Sequence, residues 1–144
     1  RHYDTIPVNF ERDGRKVTMQ RQIRPDGYVE LSYRGEESHR YLIEYDNSTE
    51  DLERIARDKL RALTAYIQSA VYRKRFGNNA GRVLFIFQTE RRMKNTQLVA
   101  QRELGKFAAM FHFTTVNAIS AKTVLSLPIW YVGNSATPTA LYLN

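Results

Sequence analysis

Val17-Thr18-Met19-Gln20-Arg21-Gln22-Ile23 alternates apolar and polar side chains, the two-residue period of a half-buried strand. Tyr28-Val29-Glu30-Leu31-Ser32-Tyr33 repeats the pattern. After a polar turn, Arg34-Gly35-Glu36-Glu37-Ser38, comes a further strand, Tyr41-Leu42-Ile43-Glu44-Tyr45-Asp46. Asp13-Gly14 is a tight-turn signal between an earlier strand, about Ile6 to Phe10, and the Val17 strand. Together these segments predict an antiparallel sheet with polar turns.

The period then changes. Leu52, Ile55, Ala56, Leu63, Tyr66, Ile67 and Ala70 recur at three- and four-residue spacing, one apolar stripe of a long helix. Ser48 is a good N-cap, and Glu50 and Asp51 suit the positive end of the dipole. The spacing carries this helix to about Arg73, where Arg73-Lys74-Arg75 and then Gly77-Asn78-Asn79 mark its end. Leu52, Ile55, Ala56, Leu63, Tyr66 and Ala70 are predicted to face the sheet. Arg82-Val83-Leu84-Phe85-Ile86-Phe87-Gln88 is a continuous apolar run, as in a central strand covered on both faces. Thr89 can cap a second helix over roughly residues 90–109, and Phe111 to Val116 reads as a strand. Leu127-Pro128-Ile129-Trp130-Tyr131-Val132 is a late strand in which Pro128 favours an edge or the strand's start. This order predicts one α/β domain over residues 1–144, a central mixed β-sheet flanked by helices.

Composition narrows the class. With 144 residues, 42% hydrophobic and 26% charged, the chain can bury a core. The absence of cysteine excludes a disulfide scaffold, cysteine-ligated zinc, iron–sulfur clusters and a cysteine nucleophile, and it fits a reducing cytoplasm. No apolar run approaches the roughly 20 residues of a membrane helix, so a cytoplasmic domain without membrane contact is expected. The chain opens on Arg1, not Met, which is expected of the later part of a longer protein.

Charge is unevenly spread. Residues 1–58 hold 10 Lys/Arg against 13 Asp/Glu, and residues 59–144 hold 12 against 2. The second part therefore carries a net +10, a balance suited to phosphates. The carboxylates of the first part are suited to a metal ion. A solvated basic surface is the plainer alternative.

Glu44 and Asp46 share one face of their strand with Leu42. A hairpin centred near Glu36 places Asp26 opposite Asp46 and Tyr28 opposite Glu44, and a two-residue shift still leaves the acids clustered at one end of the sheet. Such acids repel one another unless a cation sits among them. The alternative is an exposed pair at a strand end plus a turn aspartate after Pro25. At 100° per residue Lys59 lies about 20° from Leu52, in the middle of the apolar stripe, whereas Arg54, Arg57 and Arg61 point away. A lysine on a buried face calls for a partner, and the strand carboxylates are the natural one. Otherwise it snorkels.

The segments Arg24-Pro25-Asp26-Gly27-Tyr28, Tyr41 to Asp46 with Thr49-Glu50, Lys59-Leu60 and Tyr66 resemble the replication-relaxation family of bacterial plasmids and mobile elements. Val83 to Phe87, Arg91, Phe113-Thr114-Thr115 and Pro128-Ile129-Trp130 are similar too, so the resemblance spans about residues 5–132. It implies N-terminal winged-helix segments and a role in replication, mobilisation or transfer of mobile-element DNA, with replication or mobilisation proteins as partners. The same residues resemble the PD-(D/E)xK core, which implies a restriction-endonuclease-like fold. That resemblance implies Mg²⁺ bound by Asp26, Glu44 and Asp46. Asp46 stands where the lysine of that pattern belongs, and Lys59 on the following helix is the implied substitute. Asp26, Glu44, Asp46 and Lys59 are thus the candidate catalytic set.

Arg73-Lys74-Arg75 and Arg91, Arg92 and Lys94 are the candidate phosphate contacts. His2, His39 and His112 lack metal-ligand spacing, and Phe85, Phe87, Phe111 and Phe113 read as core. Three functions are compatible with these residues. The leading one is a nuclease-like module that binds DNA without cleaving it. An active Mg²⁺-dependent DNA endonuclease is the second, and a protein-interaction domain without DNA contact is the third.

Overall fold

The computed structural model describes residues 3–32, 38–47, 53–77 and 81–141. Two strands open the chain, β1 (Asp4–Arg12) and β2 (Arg15–Ile23), paired antiparallel from Asp4↔Ile23 to Arg12↔Arg15. Asp13 and Gly14 both take positive φ, 51° and 75°, so the sequence's tight turn is a two-residue loop whose twist suits the hairpin. This hairpin stands as its own two-stranded sheet. The single antiparallel sheet expected of the first four strands is therefore two sheets, because strand alternation reports a half-buried face and says nothing of which strand lies beside it.

The main sheet has five strands in sequence order: β3 (Gly27–Leu31), β4 (His39–Asp46), β5 (Gly81–Phe87), β6 (Phe111–Thr115) and β7 (Tyr131–Val132). β3 runs antiparallel to β4, β4, β5 and β6 are mutually parallel, and β7 returns antiparallel to β6. The sheet is mixed and β5 is central, as its unbroken apolar run predicts. The late strand is shorter than expected. Pro128 stays outside it, and Trp130 forms an isolated bridge with Thr139.

Helix α1 (Glu53–Ile67) connects β4 to β5, and α3 (Glu90–Leu104) connects β5 to β6. The two helices pack against each other, and α1 also packs against β1 and β2. One core joins Leu42, Val83, Phe85, Phe87, Phe111 and Phe113 of the sheet with Leu60, Leu63, Tyr66 and Ile67 of α1 and Ile6, Val8 and Phe10 of β1. Phe85, Phe87, Phe111 and Phe113 stack with ring centres 4.6–6.1 Å apart, and each is core, not a platform for bases. On the opposite face Tyr41, Leu84, Trp130 and Leu141 form a second cluster with Ile43, Ile86, Ile119, Val124 and Ile129. From Thr123 on the sequence holds no charged side chain, and Val124, Ile129, Trp130 and Leu141 of this stretch cover the sheet.

Helix α1 ends before Arg73. The Ser69 hydroxyl donates to the Tyr66 carbonyl at 2.6 Å and accepts from the Tyr72 N–H at 3.1 Å, capping a separate helix α2 (Ala70–Phe76). Ala70 consequently lies exposed at the start of α2, and Ile55 is 41% exposed, so neither joins the packing stripe. Arg57 and Arg61 are only partly exposed because neighbouring elements cover α1 on more than one side. Thr89 caps α3 by accepting from the Arg92 N–H at 3.2 Å; beyond Leu104 the chain tightens into a 3₁₀ turn, Gly105–Met110. The Ser48 cap, Thr49, Glu50, Asp51, Leu52, Tyr33, the Glu36 turn and Asn78-Asn79 lie outside the described residues. Among the described residues no helix is long and apolar enough to cross a membrane.

Candidate functional site

β3 and β4 meet with Gly27 opposite Ile43 and Tyr28 opposite Leu42, two residues from the register expected of a turn centred at Glu36. Continuing that register puts Asp26 opposite Glu44. The Asp26 N–H donates to the Ile43 carbonyl at 3.0 Å, and Asp26 Oδ2 accepts the Tyr45 N–H at 2.8 Å. Asp26, Glu44 and Asp46 thus gather at one end of the sheet, by the carboxyl end of β4, the end at which open α/β sheets present their binding crevices.

Leu42, Glu44 and Asp46 share the face of β4 that looks to the helices, beside Val83, Phe85 and Phe87 of β5. Glu44 is 8% exposed and Asp46 6%. Helix α1 carries Lys59 over this face, with Nζ 3.0 Å from Glu44 Oε1 and 5.5 Å from the centre of the Phe85 ring. Burial pushes the Glu44 carboxyl above its ordinary range. Lys59 opposes that shift, and the neighbouring Asp26 and Asp46 charges add to it.

Asp46 has a cation of its own. Arg92 Nε donates to Asp46 Oδ2 at 2.8 Å, with both side chains almost fully buried. Arg92 follows Thr89 by three residues and precedes Thr96 and Val99 by four and seven, so it lies on the inward stripe of α3. Its expected role as a phosphate contact gives way to this internal one. That i, i+4, i+7 spacing was the available signal, hidden by the basic cluster around it.

These side chains frame a recess of about 110 Å³ lined by Asp46, Asn47, Ala56, Lys59, Phe85 and Arg92, among others. Tyr45, which also lines the recess, accepts a bond from Gln88 at its hydroxyl. Glu44 with Lys59 and Asp46 with Arg92 cancel in charge. A divalent ion asks instead for carboxylate oxygens converging at about 2.0–2.6 Å. Among the described residues no three His, Cys, Asp or Glu side chains come together to hold one. Admitting Mg²⁺ would require Lys59 and Arg92 to leave buried carboxylates, a costly exchange. The residues in this arrangement do not fit the metal.

The remaining phosphate-contact candidates divide. Arg73 and Lys74 are exposed on α2, with Arg73 also donating to the Gln68 carbonyl at 2.8 Å. Arg75 makes two bonds of 2.8 Å to Asp4, Lys94 pairs with Glu90 at 2.9 Å, and Arg91 is exposed. His112 is buried against Tyr41, a packed residue and not a ligand.

Fold and site together define a mixed α/β domain whose sheet end carries three carboxylates, two of them, Glu44 and Asp46, paired with the chain's own lysine and arginine. No family model, curated protein or solved structure matches the chain.

Proposed function

We propose that this domain is a nuclease-like module that binds DNA without cleaving it and serves replication, mobilisation or transfer of plasmid or mobile-element DNA. The observation that carries this reading is the pairing of two of the clustered carboxylates with cations. Glu44 and Asp46, where a cleaving site would hold its metal, are each paired with a cation of the same chain. The net +10 of residues 59–144 supports binding to a polyanion. The antiparallel β3–β4 pair, the helix that follows and the parallel β5, with Pro25-Asp26 and Glu44 at one end, support a restriction-endonuclease-like core. The replication-relaxation resemblance supplies the biological setting, with replication or mobilisation proteins in a cytoplasmic complex.

The gathering of Asp26, Glu44, Asp46 and Lys59 favours one competing reading, an active metal-dependent endonuclease. Supercoiled plasmid incubated with the protein in Mg²⁺, Mn²⁺ or EDTA separates the two. Retardation in a gel with no nicking under any metal is the expected result. Metal-dependent nicking that Asp26→Ala abolishes would establish the endonuclease instead, and no retardation even at low salt would remove DNA from the account.

A further inference from the structure

The two strands of the β1–β2 hairpin are unlike. β1 places Ile6, Val8 and Phe10 in the core, whereas β2 buries only Ile23. The hairpin is pinned at both ends. Asp4 accepts from Arg75 and from the Tyr66 hydroxyl, and Arg12 makes bonds of 2.7 and 3.3 Å to the buried Asp58 of α1. Such anchoring holds a ribbon in a set orientation while leaving its outer face to solvent.

That outer face has an uncommon make-up. Opposite the buried side chains, the register stacks Thr5 with Gln22, Pro7 with Gln20 and Asn9 with Thr18. All six are exposed. These three rungs hold amides and hydroxyls and no charge. Beyond them lies the Glu11–Lys16 rung. The ends are cationic: Arg15 and Lys16 follow the turn and Arg24 lies just beyond Ile23, whereas Arg12 and Arg21 belong to the core-facing side, each over the Phe10 ring. Arg15, Lys16, Arg21 and Arg24 are exposed.

We propose that the outer face of the β1–β2 ribbon reads double-stranded DNA in the major groove; this rests on the reading of the domain as a DNA-binding module. The major groove is about 12 Å wide and admits a two-stranded ribbon. Nine residues at about 3.4 Å each span about 30 Å, close to one helical turn of duplex. The Gln20 and Gln22 amides match the paired acceptor and donor of adenine, while Asn9 Oδ1 accepts the Thr18 hydroxyl and leaves the threonine methyl to suit thymine. Arg15, Lys16 and Arg24 at the ribbon's ends meet the phosphates on the groove's rims. The same charges disfavour pairing of the exposed β2 edge with another strand, which argues against a protein partner on this surface. The ribbon therefore adds base reading to the sequence-independent attraction of Arg73 and Lys74.

The test compares two ribbon variants with Arg73→Gln/Lys74→Gln on α2. Gln20→Thr/Gln22→Thr removes the amides with strand-favouring residues, and Arg15→Gln/Lys16→Gln removes flanking charge. Fluorescence anisotropy over a salt series, on a labelled duplex of about 20 base pairs and its single strand, gives affinity and salt slope. Selection from duplexes with randomised centres gives sequence preference. The wild type is expected to favour the duplex and to enrich a motif. Gln20→Thr/Gln22→Thr should flatten that enrichment with less than about a twofold change in mixed-sequence affinity, and Arg15→Gln/Lys16→Gln should lower the salt slope by about 2. If the double amide variant fails to fold, Thr18→Val, nearly isosteric and lacking the hydroxyl, must shift the enriched motif. Wild-type-like selection and slopes in both ribbon variants, with binding weakened only by the α2 variant, would overturn the ribbon and leave the DNA-binding reading standing. Loss of self-association in the ribbon variants, with DNA binding unchanged, would reassign the surface to a second copy of the chain and overturn the proposal. No binding of the wild type to any DNA would overturn both readings.

Discussion

Glu44 and Lys59 are unequally buried, with side chains about 10% and 35% exposed, and their consequences differ accordingly. Lysine gains little from the pair because water still reaches it, whereas the buried glutamate depends on Lys59 to oppose the cost of its burial. Lys59→Met should cost about 1–2 kcal/mol at neutral pH, below the range for a fully buried pair. The folded-state value of Glu44 is raised above its ordinary 4.5, so Glu44 favours the fold while protonated and loses that contribution as pH rises through the raised value. Urea unfolding should therefore show the wild type losing stability relative to Glu44→Gln as pH rises from about 4.5 towards neutrality, and the penalty of Lys59→Met should shrink on acidification. A pH-independent gap between wild type and Glu44→Gln would show that Glu44 is not the strained group.

Arg92 and Asp46 behave differently because both are enclosed. Arg92→Leu should cost about 3 kcal/mol by stranding a buried anion, and adding Asp46→Asn should recover part of the loss. Equal stability of the single and double variants would contradict the pairing. His112 acts in the opposite pH direction to Glu44. Burial, aided by Arg82, lowers its value to about 4 from the usual 6.5, so the stability it carries is complete above pH 6.5 and is lost between about 6.5 and 4 as the unfolded chain takes up the proton. His112→Phe should remove much of the acid sensitivity in that window, measurable as a flatter urea midpoint against pH.

Among the elements, strand and turn positions were legible wherever the signal was local. The alternation of β2 and β4, the apolar run of β5 and the Asp13-Gly14 turn all depend on residues within a few positions of one another. Pairing was not legible, since nothing local to Val17–Ile23 tells that β2 joins β1 in a separate two-stranded sheet. The single apolar stripe read for α1 failed for a related reason. Asp58, Ala62 and Thr64 are buried beside Leu60 and Leu63, because the hairpin and α3 enclose a helix whose stripe was drawn for one sheet alone. Close packing also depends on Gly81, where an added Cβ would stand 2.4 Å from the Tyr72 hydroxyl and 2.7 Å from Cζ. Gly81→Ala should cost about 1–3 kcal/mol by displacing that ring. Tyr72→Phe in the same background should relieve some of it, since the hydroxyl is the nearer atom.

At the scale of the whole molecule, the division into an acidic first part and a basic second part reads as two surfaces in sequence but not in space. The fold spends much of the charge internally: Arg12 on Asp58, Arg61 on Glu103, Arg75 on Asp4 and Arg92 on Asp46. The clustering of Asp26, Glu44 and Asp46 and the inward turn of Lys59 were legible because strand parity and helix angle are geometric. The second counter-cation, Arg92, was not, since it comes from an element some 46 residues downstream of Asp46. Its presence changes the chemistry open to the cluster from metal binding to internal neutralisation.

The central claim is that Glu44 and Asp46 are each held by a cation of the same chain in place of a metal, and Mg²⁺ tests it most directly. A ligand at about a hundred times its dissociation constant stabilises the folded state by about 2.7 kcal/mol. Urea unfolding of the wild type and Asp26→Asn is compared in about 10 mM Mg²⁺ and in EDTA, where a metal held at about 0.1 mM affinity would produce that shift. The account predicts the same midpoint with and without the ion for both proteins. A magnesium-dependent rise in the wild type that Asp26→Asn abolishes would contradict it and return the cluster to metal chemistry.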